Sequence, residues 1–570
     1  MKKKTRIEKK RFIVVIAIFF IWTSFIVFTL IKLQILNYPK YVQKVKKQST
    51  RIFKTTPKRG TIYDNNGDIL AISVKSFSAY IKNINKKESL KIFKKITKRT
   101  YLNYNERKNI IKRILKDKPF IWIKRKLEDK EYLRLKTLSN KIKPKYKSFL
   151  GFYTEYKRLY PQNKIASHIL GGVGIDEQPL GGIEYGLNEF IKGKSGNVKY
   201  ELDGRRKAFK FEVIKKPERG KDIRLTIDSG IEFFVEKALN ETVKRFNAKS
   251  GALIILDSKT GKILSMASNP DYYPQRISES PPSHIKNNAV SFLYEPGSTF
   301  KIIVASAALD SNICYPQQKF YCNNGVYKIR DKKIYDHASY SMLTFEDIII
   351  NSSNIGAAKI GQKLGKIRLY NYIKNFGFGE KIELGLSGEA KGILNPLKRW
   401  SEVSVAFLSF GYEISVTPLQ MARAINVIAS GGYLVNPYIV KSIGKKRINP
   451  GLSKKIISDS TVRRIKEIMK GVVIRGTGKK AYIEGISIAG KTGTAKKVKN
   501  GRYVKKYVSS FVGFLPAENP RVTIYVMINE PKGAYYGGEV AAPLFREIAS
   551  KLMIYLHIFP ELDSKRGIRL

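Results

Sequence analysis

The sequence predicts an α/β protein with three parts: a membrane-crossing N-terminal helix, a lysine-dense middle region with short helical runs, and a C-terminal α/β sandwich with one antiparallel sheet. Three observations lead there. Residues 12–31, FIVVIAIFFIWTSFIVFTLI, carry no charge. Strand-like runs stand at both ends of the second half of the chain, in GALIILDSKTGKILSMAS (251–268) and from SIAGKTGTAKK (487–497) through VTIYVMIN (522–529). A mainly helical stretch separates them.

The apolar run is about 30 Å long as a helix, enough to span a bilayer. Lys2, Lys3, Lys4, Arg6, Lys9, Lys10 and Arg11 precede it and place the N-terminus in the cytoplasm, although Lys32, Lys40 and Lys44 make the asymmetry moderate. No small-x-small cleavage site follows at once, so the segment reads as an uncleaved signal anchor (12–31) behind a cytoplasmic tail (1–11), with the rest outside the cytoplasm. That topology sets nucleic acid aside as a partner. The balance of 107 Lys+Arg against 46 Asp+Glu, a formal +61, would otherwise invite it. Anionic lipid, an anionic polymer or a lysine-rich composition fit the same balance.

Residues 35–150 are dense in lysine, with short helical runs whose basic faces read as solvated surface or as attraction to lipid or wall polymer. A glycine-rich section follows (169–204), and KKPERGKDIRLTID (215–228) is a polar, turn-rich boundary before an apolar strand. Beyond it, the turn residues DSKTG separate two strands. FKIIVASAAL (300–309) is apolar nearly all round and reads as a buried helix. Asn500-Gly501 is a hairpin turn between strands, and PLFREIASKLMIYL (543–556) a closing helix. No internal repeat occurs. The two cysteines, Cys314 and Cys322, are compatible with a disulfide or with free thiols, and their spacing matches no metal site.

Chemistry concentrates in three stretches. In YEPGSTFKII (294–303), Ser298 follows a Pro-Gly break at a helix start, where N–H groups and the helix dipole favour developing negative charge. Lys301 lies on the same helical face, within reach of the serine hydroxyl. Ser298 is either a cap or a nucleophile. A nucleophile needs a base, and His168, His284, His337 and His557 read as structural, so lysine has to serve. Lysine titrates near ~10.4, so burial and a second cation have to lower it. NSSNIGAAKIG (351–361) offers Ser352 and Asn354 for proton relay and for holding an amide. IAGKTGTAKK (488–497) offers Lys491 as the second cation and a carboxylate ligand. Thr492 follows it, Gly493 leaves room for close backbone approach, and the Thr494 N–H can join that of Ser298 in an oxyanion hole. Two decoys share the spelling: Lys259-Thr260-Gly261 in a hairpin turn and Ser195-Gly196-Asn197 in the glycine-rich loop.

Taken in order, Ser-x-x-Lys, Ser-x-Asn and Lys-Thr-Gly resemble the signature of the penicillin-binding serine acyltransferases. PKRGTIYDNNGDILA (57–71), RLYPQNKIASHILGGVG (158–174) and GGIEYGLNEFIKGKSG (181–196) are similar to elements of the class B pedestal, with Asn65 where arginine is common. The resemblance covers about residues 55–555. It implies an elongated α+β pedestal of the dimerisation type (35–220) and a serine β-lactamase-like transpeptidase domain (221–570). No glutamate-centred glycosyltransferase domain and no C-terminal wall-binding repeats are expected. The Ser-Ser-Asn form of the second motif and residues 376–424 look most like the division-specific branch.

By that resemblance the protein is a D,D-transpeptidase of the bacterial inner membrane that needs no cofactor or metal. Ser298 attacks a D-Ala-D-Ala stem peptide, Lys301 is the base and Ser352 passes the proton to the leaving amine. Asn354 orients the peptide, while Lys491 and Thr492 bind its carboxylate beside Gly493 and Thr494. The implied partners are peptidoglycan stem peptides, β-lactams, the membrane, a SEDS-family glycan polymerase and other division proteins. Rival readings are an elongation-specific transpeptidase, a β-lactam sensor or β-lactamase, and a non-catalytic division scaffold.

Overall fold

The computed structural model describes residues 2–83, 85–141, 149–202, 208–450, 453–499 and 501–558. By compactness the chain forms two units, Met1–Lys58 with Gly193–Arg219, and Arg59–Lys192 with Gly220–Leu570.

In the first unit, helix α1 (Lys2–Ile31) continues as a wider-wound turn to Leu36. Residues Arg6–Leu36 reach a mean hydropathy of 2.7 with none of the apolar window buried in protein, the surface expected of a helix solvated by lipid. The same unit holds a three-stranded antiparallel sheet of Thr50–Thr55, Gly196–Leu202 and Ala208–Lys215. The decoy Ser195-Gly196-Asn197 enters this sheet, where Asn197 pairs with Lys54 and Lys215.

The second unit begins with a sheet whose long strand Ile69–Lys82 pairs with Phe120–Lys124 and Leu150–Leu159. Three helices, Lys86–Thr97, Tyr104–Leu115 and Asp129–Lys141, bury one stripe against it. Ile92, Phe93, Ile96, Ile114 and Leu135 form its core while the lysines stay outside, so in this lobe the lysine-rich sequence is solvated helix surface. Asn85 and Asn103 cap the first two helices, the latter in a full capping box with Glu106.

The three pedestal-like stretches meet at one carboxylate. Glu184, fully buried, accepts from Arg158 Nε at 2.6 Å and from Arg59 Nη2 at 2.6 Å. Asn65, the departure from the usual arginine, accepts instead from Lys441 Nζ at 2.8 Å. Its neighbour Asp64 gathers the Asn66, Gly67 and Asp68 N–H groups and the Ser229 hydroxyl.

The C-terminal sheet comprises β1 (Ser250–Asp257), β2 (Ile263–Asn269), β3 (Ala489–Lys499), β4 (Arg502–Leu515) and β5 (Val522–Asn529). Its order is β2-β1-β5-β4-β3, antiparallel throughout. The two hairpins read from sequence are both present; Gly501 has the left-handed φ of 74° and Asn500 lies outside the described residues. Strand alternation sorts the faces. Leu253, Ile255, Ile524 and Val526 pack against α2 (Ser229–Arg245) and the closing helix (Gly537–Tyr555). Ala252, Ile254, Leu256, Tyr525 and Met527 face the helical centre, which includes α3 (Lys301–Asp310), α4 (Asn354–Leu364) and α5 (Pro418–Ala429). The closing helix is α6. Nine of the ten residues of α3 are buried, as its all-round apolar sequence anticipates. Each large apolar side chain on it contributes roughly 1.5–3 kcal/mol. That packing fixes the residues at its N-terminus, where Ser298 and Lys301 lie.

Candidate active site

Ser298 sits in a single 3₁₀ turn, Gly297–Phe300, ahead of α3. The sequence places it at the helix start; the α-helix proper begins at Lys301, and the tighter turn carries the serine out to the cleft. Gly297 makes the turn possible. Its φ is 57°, and a Cβ there would meet Thr494 O at 3.2 Å. On the other side its N–H donates to Gly411 O at 3.1 Å.

Lys301 points into the protein and is 0% exposed. Its Nζ donates to Ser352 O at 2.6 Å, Asn354 Oδ1 at 2.8 Å and Ser352 Oγ at 3.3 Å. Ser352 adopts a left-handed φ of 61°, in the reversal between helix Phe345–Ile350 and α4. Ser353 caps α4, accepting from Gly356 N at 2.9 Å and donating to Asp336 Oδ2 at 2.6 Å. Asp336 also receives the Asn354 and Ile355 N–H groups, so a carboxylate closes the helix N-terminus. Asn354 Nδ2 donates to Tyr335 O at 2.9 Å, which locks the amide with its oxygen toward Lys301.

Lys491 enters from β3, also 0% exposed, and its Nζ donates to Ser352 Oγ at 2.9 Å. One hydroxyl thus lies between two buried ammonium groups. Burial drives the Lys301 pKa down to about 7, and Asp336 opposes that only in part. Lys491 is pushed well below the ordinary lysine value, again by burial first and then by the charge of Lys301. The sequence reading called for a second cation to depress Lys301. The second cation is in place, but for both lysines desolvation is the larger cause. Two protons cannot comfortably occupy this pair at neutral pH.

β3 is the edge strand of its sheet, and its alternation continues the site. Thr492 and Thr494 line the cleft. The Thr492 hydroxyl pairs with Thr477 Oγ1 at 2.7 Å, and Thr494 Oγ1 accepts from Gly537 N at 2.9 Å. Between them Gly493 is required by packing. A Cβ there would lie 2.3 Å from Ser510 Oγ and 2.9 Å from Thr299 Cγ2, so the close approach it permits is that of the Ser298 turn.

Ser298, Ser352, Asn354, Thr492 and Thr494 line a cleft of about 730 Å³, with the two buried lysines behind Ser352. Several of its residues escaped the sequence reading. His337 lines it, although all four histidines read as structural. Tyr412, Tyr535 and Tyr536 line it too, the last two with ring centroids 4.5 Å apart. No short-range pattern marks these positions. His168 does behave structurally: buried, with its pKa lowered to about 4 by desolvation and Nε2 2.8 Å from His284 O. The Lys259-Thr260-Gly261 decoy occupies the β1–β2 turn, where Asp257 Oδ1 accepts from Thr260 N at 2.7 Å. Cys314 and Cys322 are both buried, free thiols.

Known proteins similar to this chain give its family and fold. The family described as "Penicillin binding protein transpeptidase domain" matches residues 251–550, and "Penicillin-binding Protein dimerisation domain" matches residues 54–225. The chain is 33% identical over 527 residues to the stage V sporulation protein D of Bacillus subtilis, covering 89% of this chain and 80% of that one. It is 30% identical over 538 residues to the peptidoglycan D,D-transpeptidase FtsI of Escherichia coli, covering 93% and 89%. Among solved structures it resembles penicillin-binding protein 3 of Mycobacterium tuberculosis complexed with aztreonam, with a TM-score of 0.70 and 25% identity over 89% of this chain and 98% of that one.

Proposed function

The chain belongs to the class B penicillin-binding proteins and is a peptidoglycan D,D-transpeptidase; from that premise we propose how its own residues divide the reaction and where it works. Residues 35–220 serve as the pedestal and 221–570 as the transpeptidase domain. Lys301, in its neutral form, takes the Ser298 proton as Oγ attacks the penultimate D-Ala carbonyl of a stem peptide. The C–N bond then breaks, and the proton returns through Ser352 to the leaving D-Ala amine. An amine from a second stem attacks the acyl-Ser298 carbonyl and closes the cross-link, releasing the serine. Lys491, Thr492 and Thr494 receive the terminal carboxylate, and the Ser298 and Thr494 N–H groups receive the developing oxyanion. Asn354 orients the peptide while it holds Lys301. The edge position of β3 supports the reading, since an extended peptide can add to it as a strand.

The observation that carries this assignment is the Ser352 hydroxyl, 3.3 Å and 2.9 Å from the two lysine Nζ atoms in the cleft that holds Ser298. Penicillins, which mimic D-Ala-D-Ala, acylate the same serine. Fluorescent penicillin should label the full-length protein in detergent, with the adduct in peptide 294–303, and Ser298→Ala should abolish labelling. An adduct mapped elsewhere would overturn the assignment. We assign the protein to the septal wall, on the Ser-Ser-Asn motif and the 376–424 segment. Its N-terminus lies in the cytoplasm and its catalytic domain outside the membrane, beside a SEDS-family polymerase and other division proteins. Depletion should produce filaments; rounded cells would move it to elongation.

A further inference from the structure

A cross-linking enzyme has to seat two strands of opposite chemistry: a donor ending in a carboxylate and an acceptor presenting a primary amine. Given the transpeptidase reading, the cleft suits the first and opposes the second. Lys479, Lys480 and Lys496 line it, and the buried Lys301–Lys491 pair, which shares less than two full charges, lies behind Ser352 and Asn354. An aliphatic amine is protonated at neutral pH, with a pKa near ~10.4, so it enters this cleft as one more cation. It needs a neutral or negative partner near Ser298.

We propose that His337 is that partner: its imidazole, on the loop after strand Lys332–Tyr335, accepts a hydrogen bond from the acceptor amine and so sets which nucleophile reaches acyl-Ser298. The loop is anchored, because Asp336 is tied to Ser353, Asn354 and Ile355 at the start of α4. His337 lines the cleft with Ser298 and Ser352, and its Nε2 lies 3.1 Å from Tyr340 Oη. With Tyr340 accepting from Nε2–H, the lone pair resides on Nδ1. The charged and titratable groups facing the ring are Lys301 from α3, Lys491 from β3, and Asp336 and Tyr340 from its own loop. Burial first, then the Lys301 charge, depress its pKa below the ordinary imidazole value. At neutral pH the ring is therefore a hydrogen-bond acceptor, not a repelling cation.

The test uses full-length protein in detergent, a thioester donor, and as acceptor a lysine amide blocked at its α-nitrogen. Acceptor KM and the ratio of aminolysis to hydrolysis are measured, with the rate of penicillin acylation as reference. Substituting a permanent cation, His337→Lys, should raise acceptor KM roughly tenfold or more over His337→Gln, relative to that reference. With acceptor KM referred to the free-base amine, the wild-type value should climb as the pH falls and the imidazole protonates, and in His337→Gln that climb should vanish. Equal partition ratios in the Lys and Gln variants would overturn the proposal. So would a shift in acceptor KM on Glu539→Gln, with none at His337, since Glu539 in the first turn of α6 is the acid lining the same cleft. Loss of penicillin acylation in the wild type itself would instead refute the transpeptidase reading on which the proposal rests.

Discussion

Arg59 and Arg158 are buried almost as deeply as Lys301 and Lys491, yet the two pairs of cations live under opposite conditions. The arginines share the carboxylate of Glu184, each at 2.6 Å. Among the described residues the lysines have no carboxylate within ion-pair reach and share a neutral hydroxyl instead. A guanidinium keeps its proton, so burying it demands a counter-ion, and the result is a fixed joint between three distant stretches. An ammonium can shed its proton, and burial without a counter-ion makes it do so. The same physical cost therefore builds a rigid support in one place and, in the other, a lysine whose pKa is lowered to about 7.

Breaking each site in turn separates these roles. Lys301→Met should slow penicillin acylation by about 10²–10⁴-fold, the usual reach of a general base, while the melting temperature holds or rises because Lys491 loses a like-charged neighbour. Glu184→Ala should do the reverse. Two uncompensated guanidinium groups should cost about 3–5 kcal/mol of stability in denaturant unfolding, while the protein that remains folded acylates at the normal rate. If Glu184→Ala instead lowered the acylation rate of folded protein, the division of labour would fail.

Acidity sharpens the contrast further. Only neutral Lys301 can take the serine proton, and its pKa is lowered to about 7. Acylation should therefore be weak in acid and rise through a midpoint near 7. A profile flat from pH 6 to 8 would exclude Lys301 as the base. The smallest effect is expected from Asp336→Asn. Asp336 raises the Lys301 pKa, so its neutral replacement should move the midpoint to lower pH by less than about one unit, and an upward move would contradict the electrostatic picture.

Ser298, Lys301, Ser352, Asn354 and Lys491 could be named as candidates from the sequence because the proposed chemistry demands particular side chains at short spacings that helices and strands preserve, and the structure brings them to one cleft. The β1–β2 and β3–β4 hairpins were legible for a similar reason, since turn residues join neighbours. The insertion of β5 between β1 and β4 had no local mark. Neither did His337, Tyr412 or Tyr535, which reach the cleft from separate loops. The quoted pedestal stretches contained Arg59, Arg158 and Glu184, but nothing in them said that the three would meet; Arg59 and Glu184 are 125 residues apart.

By itself the sequence determined the apolar N-terminal helix, the strand and helix faces, and which side chains are candidates for the chemistry, because periodicity and motif chemistry act over a few residues. Only the tertiary structure decided that Ser352 would lie between two lysines, that desolvation would outweigh repulsion in freeing Lys301 of its proton, and that a histidine would enter the cleft. Those outcomes depend on distance and on the exclusion of water, and both arise only when segments far apart in the chain are packed together.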